Sequence, residues 1–130
     1  MNDKIIRDEK LLAEYRLIAE FEGAIIEPFR NFYTIEFPNR NKCWDTDLKY
    51  STDWNWLMPV VEKIESLGEF GYCVTISSTW IRIYNQIHNT DTIVDMDTFN
   101  SKDTKIQDIY NAVVEFIKWY NEQEKDKLNG

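Results

Sequence analysis

The chain has 130 residues, 43% of them hydrophobic and 15% aromatic, with 23 acids against 15 bases for a net charge of −8. That length and apolar content predict a single domain spanning residues 1–130 around one core, and they exclude global disorder. The acidic balance opposes direct binding to a nucleic-acid backbone, which needs clustered Lys and Arg, and suits a basic protein partner. Each half of the chain, divided after Glu65, carries −4 (13 acids against 9 bases, then 10 against 6), so no acidic tail accounts for it. The plainer alternative is an ordinary acidic surface with no steering role.

The first element is helical. "LLAEYRLIAEF" puts Leu11, Leu12, Tyr15, Ile18, Ala19 and, less strictly, Phe21 on one face, and Gly23 follows as a C-terminal stop. "AIIEPF" and "FYTIEF" read as short strands around a turn at Arg30-Asn31, with Pro28 restricting the first to an edge. "PNRNKCWDTDLKYSTD" reads as a polar loop of about sixteen residues, long enough to suggest function.

Ser51, Thr52 and Asp53 are N-cap residues for a middle helix, "WNWLMPVVEKIESL". Trp54, Leu57, Met58, Val61, Ile64 and Leu67 follow helical spacing and predict its core face, whereas Trp56 points off that stripe. Pro59 predicts a kink or a 3₁₀ start, and Gly68 an exit.

"YCVTIS" and "WIRIYN" alternate with period two across a short Ser77-Ser78-Thr79 link, which predicts an antiparallel hairpin, and "TIVDM" is a weaker third strand. The chain closes on "DTKIQDIYNAVVEFIKWYNEQ". Thr104 to Gln107 fits a capping box, and Ile106, Ile109, Tyr110, Val113, Phe116, Ile117 and Tyr120 form an apolar stripe. Residues 121–130 are expected to fray. The predicted class is α+β, with three helices on a small antiparallel sheet in the order α-β-β-α-β-β-(β)-α.

"YSTDWNWLMPVVEKIE", the following strands, "TKIQDIYNAVVEFIKWYN" and the opening "LIAEFEGA" resemble a family of small phage and prophage proteins of Bacteroidetes type, the phage α/β/α-sandwich domain. In that family a Tyr-Ser-Thr-Asp step opens the middle helix, which carries a Val-Val-Glu-Lys signature, here Val60 to Lys63. The resemblance covers residues 11–24, 50–84 and 104–121, mostly core and capping positions. It implies a phage or prophage origin, and the family carries no established catalytic residues to transfer.

Chemistry-bearing residues are few. His88 is the single imidazole, in a polar turn without a nucleophile motif, and no Walker loop, GxGxxG or HExxH is present. Cys43 and Cys73, thirty residues apart, are expected to be free thiols, and with His88 they fall short of a four-ligand zinc site. Asp45 and Asp47, and Asp91, Asp95 and Asp97, are oxygen clusters that could attract Mg²⁺ or Ca²⁺, but read as an EF-hand loop the second cluster lacks the Gly and the closing Glu. Solvated turn aspartates are the competing reading.

Aromatics supply the rest. On "WIRIY", Ile81 and Ile83 share one sheet face while Trp80, Arg82 and Tyr84 share the other. With Trp44, Trp56 and Trp119 these could anchor an interface, unless helices cover both faces and bury the rings. The expectation is an acidic, non-enzymatic protein without cofactors, cytoplasmic in its bacterial host, that binds and inhibits a basic host protein. A nuclease of a CRISPR-type defence system is the target in view. Its binding residues would be Trp44, Asp45, Asp47, Trp56, Trp80, Arg82, Tyr84, Asp91, Asp95 and Asp97. The alternatives are a divalent-metal-dependent enzyme, a small-ligand-sequestering protein, or a phage protein with no defence role. The "MNDKIIRDEK" start is too charged for a signal peptide, and no apolar run is long enough to span a membrane.

Overall fold

A computed structural model of the chain describes residues 8–67, 71–85 and 92–129. The described residues form three helices and two three-stranded antiparallel sheets, an α+β architecture in the order expected, with one further short strand. The strands separate into two sheets rather than one, and the chain divides into two compact units, Met1–Leu48 and Lys49–Gly130. His88, Asp91 and Gly68 lie outside the described residues.

In the first unit, α1 (Glu9–Phe21) starts where the Asp8 carboxylate accepts the Leu11 N–H at 3.0 Å, and Glu9 sits in its first turn, where negative charge meets the positive end of the helix dipole. It buries Leu12, Tyr15, Ile18 and Ala19 and stops at Gly23, whose φ of 92° lies in the left-handed region. Strands β1 (Ile25–Phe29) and β2 (Phe32–Glu36) pair from Ile25↔Glu36 down to Phe29↔Phe32, with Arg30-Asn31 as the two-residue turn. Arg30 takes φ 57°, a strained conformation for a residue with a side chain. Pro28 lies on β1, an edge strand, as its missing N–H requires.

The segment read as a long polar loop is largely structured. Strand β3 (Cys43–Trp44) adds to β2, a 3₁₀ turn follows at Asp45–Asp47, and Asp45, Leu48, Tyr50 and Ser51 are buried. The period-two test misses a two-residue strand, and a polar composition conceals a buried acid.

In the second unit, α2 (Trp54–Ser66) begins where the Asp53 carboxylate accepts the Asn55 N–H at 2.9 Å. Its buried face is Leu57, Val60, Val61 and Ile64. This corrects the expected stripe: Trp54 and Met58 are exposed, Trp54 by 44%. At about 100° per residue the buried arc centres about 30° away from the expected one, which takes in Val60 and leaves Trp54 on its shoulder. Trp56, on the other shoulder, is half-buried with its ring edge-on to Tyr50 at 5.4 Å. The helix is α throughout with Pro59 inside it, so of the kink or 3₁₀ start expected there the 3₁₀ start is absent.

Strands β4 (Tyr72–Ile76), β5 (Trp80–Asn85) and β6 (Thr92–Asp97) form a sheet in that order, registered through Val74↔Ile83↔Val94, with an irregularity between Ile83 and Tyr84. Entry to β4 needs Gly71. Its φ is 74°, and a Cβ there would run into the Glu65 carbonyl oxygen. Helix α3 (Lys105–Asn129) packs on β5 and β6, burying Ile109, Tyr110, Val113, Phe116 and Ile117. The Thr104 hydroxyl accepts the Gln107 N–H at 3.3 Å, while the Gln107 amide reaches forward to Asn111. The helix continues to Asn129, through the segment expected to fray. Its Glu, Gln and Lys residues favour helix, and Glu124 pairs with Lys127 at 3.3 Å.

Candidate functional site

The alternation on β5 sorts its side chains as the pattern requires. Ile81 and Ile83 are buried on the face that α2 and α3 cover, and Trp80, Arg82 and Tyr84 point to the other face. Cross-strand pairing sets Asp97 opposite Trp80 and Asp95 opposite Arg82, while Thr75 sits beside Arg82 on β4. Strand geometry thus gathers Trp80, Arg82, Tyr84, Asp95 and Asp97 from a sequence in which they are up to seventeen positions apart.

On that face the Arg82 guanidinium lies 4.4 Å from the Trp80 ring centroid and donates from Nε to the Asp95 Oδ1 at 3.3 Å. The two side chains of the pair are 47% and 60% exposed, so the contact is worth a few tenths to ~1 kcal/mol. Its consequence is positional: Arg82 is held over the Trp80 ring. Two shallow hollows share Trp80, Arg82 and Asp95. One, of about 310 Å³, extends to Thr75, Tyr84 and Thr92, and the other, of about 350 Å³, to Thr79, Asp97 and Phe99. Phe99 is 72% exposed, and as a lone aromatic in a polar turn it carries no periodic signal in the sequence. Asp97 accepts the Phe99 N–H at 2.9 Å and shapes that turn. The segment read as a weaker third strand is strand β6, and it presents Asp95 and Asp97 on one side.

Other residues expected at the site are placed elsewhere. Asp45 is fully buried in the first unit, where its Oδ2 accepts from Arg16 Nη1 at 3.1 Å, and the same guanidinium sits 4.1 Å from the Tyr33 ring centroid. That removes Asp45 from any accessible surface: it is a structural ion pair. Asp47 is exposed and caps the 3₁₀ turn by accepting the Trp44 N–H at 3.0 Å. Trp44 is 42% exposed and contacts the rings of Phe29 and Phe32 at 5.7 and 5.9 Å, a cluster that sequence reasoning did not assemble. Trp119 is half-buried against Tyr72 and Phe116.

Burial is the main cause that pushes the Cys43 thiol up from its usual value. The Asp47 and Asp45 carboxylates add to it and Arg40 opposes it. Both cysteines are free. Among the described residues no group of three or more His, Cys, Asp or Glu side chains is placed to hold a metal ion, and no helix is long and apolar enough to cross a membrane. The chain matches no family model, no curated protein and no solved structure.

Proposed function

We propose that the protein acts by binding rather than catalysis, and that it captures a basic protein partner on the open face of the β4–β6 sheet. The observation that carries this reading is the array of Trp80, Arg82 and Tyr84 beside Asp95 and Asp97 on a sheet face whose opposite side the helices cover. Trp, Tyr and Arg are the side chains that anchor interfaces, and held rigid on strands they lose little entropy on binding. The −8 net charge supports a basic partner, since it speeds encounter with an oppositely charged surface. A partner Lys or Arg meets aromatic rings and carboxylates there, the same pair of attractions that already holds Arg82.

The resemblance to small phage proteins extends the reading. In that setting the partner is a nucleic-acid-processing host protein, such as a nuclease of a CRISPR-type defence system, whose phosphate-binding groove the acids of this chain occupy. The test is affinity capture from host lysate, comparing the parent with Trp80→Ala and with Asp95→Lys combined with Asp97→Lys. The reading expects a basic nucleic-acid-processing protein on the parent at low salt, depleted on both variants. Capture of no such protein, or equal capture by the variants, overturns it.

A further inference from the structure

Four of the large hydrophobic residues exposed in this protein lie on the first unit's sheet: Ile25, Phe29, Phe32 and Trp44. They share one face. Ile25, Glu27 and Phe29 alternate along β1, Phe32 lies opposite Phe29, and Trp44 lies opposite Thr34, two positions along β2 from Phe32. The reverse face holds the fully buried Ile35. The three aromatic rings, with Arg30, Asn31 and Thr46, border a concavity of about 500 Å³. We propose that this face is a self-association surface, occupied by the same face of a second copy related by a two-fold axis.

The charge layout selects that occupant. A two-fold interface must be complementary to itself, so that each residue and its contact are exchanged between the copies. Along the hairpin, Arg30 at the turn lies on one side of the Phe29–Phe32 pair and Glu27 on the other. The Arg30 guanidinium is held on this face, 5.6 Å from the Phe29 ring centroid. A two-fold axis through the aromatic pair, running across the strands, stacks Phe29 and Phe32 on their counterparts. It also sets Arg30 of each copy over Glu27 of the other. A uniformly basic partner would meet Arg30 as a like charge, so the face does not duplicate the acidic and aromatic site on the second unit. At about 3.4 Å per residue and about 4.8 Å between strands, the face offers a few hundred Å² per copy. A standard interface uses roughly 800 Å² per partner, so this dimer is weak and reversible, with a dissociation constant on the order of 0.1 mM.

Sedimentation equilibrium of the full chain, from about 10 µM to about 1 mM in about 0.15 M salt, which screens the repulsion between two copies of net charge −8, tests this. The weight-average mass should rise from 15.6 kDa towards twice that value across the series. Phe32→Ser should hold the protein monomeric. Glu27→Arg and Arg30→Glu should each weaken association about tenfold, because every substitution counts twice in a two-fold dimer, and the combined swap should restore it. Glu27 and Arg30 are exposed, so these variants fold whether or not Phe32→Ser does. A protein monomeric to the top of the range overturns the proposal, as does a dimer indifferent to Phe32→Ser or a swap that restores nothing.

Discussion

Removing Arg16 should destabilise the protein more than removing the acid it pairs with, and the asymmetry follows from where water reaches. The Asp45 side chain has no solvent exposure, whereas Arg16 retains 17% and has the Tyr33 ring beneath it. Arg16→Met therefore withdraws the guanidinium from a carboxylate that water cannot reach, a change worth about 3–5 kcal/mol when a buried pair is broken from one side. Asp45→Asn leaves an arginine that can turn towards solvent and still stack on Tyr33, with an amide oxygen in place of the carboxylate. The loss is then closer to one charged hydrogen bond, about 1.5–3 kcal/mol. Arg16→Met combined with Asp45→Leu removes both charges and should recover most of the loss, and with Asp45→Leu alone it closes a double-mutant cycle whose coupling energy should be roughly 2–3 kcal/mol. Urea unfolding followed by circular dichroism measures all four variants. Arg16→Met within about 1 kcal/mol of the parent, or Asp45→Asn costing more than Arg16→Met, would refute the reasoning.

Gly71→Ala should cost about 2–4 kcal/mol, since both the left-handed backbone and the Glu65 carbonyl exclude a Cβ; an unchanged melting temperature would contradict that packing. Val60→Asp should cost ~3 kcal/mol or more by burying a charge, whereas Trp54→Gln, at a position 44% exposed, should cost clearly less; the reverse ranking would restore the expected helix phase. The Cys43 thiol is raised, so the fold favours its protonated form. That contribution is intact below the ordinary thiol value of roughly 8.5 and is lost as pH rises through the raised one. Mass-resolved iodoacetamide labelling should accordingly reach half its maximal rate at Cys43 above pH ~8.5, and a lower midpoint would contradict the burial.

Much of the fold was legible because its signals are periodic. The α1 stripe, the β5 alternation and the α3 stripe each repeat often enough to fix type and face, and Gly23, Asp53 and Thr104 mark boundaries by local chemistry. The α2 phase is not fixed by spacing, because Trp54, Leu57, Met58 and Val61 fit a helix as well as Leu57, Val60, Val61 and Ile64 do. The partner surface decides between them, and the sequence of one helix does not contain it. Asp45 looked like a loop acid because its partner, Arg16, lies twenty-nine residues away. The candidate site followed the same division. Trp80, Arg82 and Tyr84 could be placed on one face by alternation, and their union with Asp95 and Asp97 needed only the β5–β6 register. The Phe29, Phe32 and Trp44 cluster depends on a two-residue strand that no pattern marks.

Amide shift mapping tests the central claim most directly. The ¹⁵N-labelled full chain is titrated with the basic partner recovered by capture, and the perturbed backbone amides and the Trp80 indole N–H are followed. The account predicts that the perturbations concentrate on Trp80–Asn85 and Thr92–Asp97, that the Trp80 indole moves with them, and that Asp95→Lys with Asp97→Lys slows association and flattens its dependence on salt. Perturbations confined to other elements, with Trp80 and the β6 amides unmoved at saturation, would contradict it.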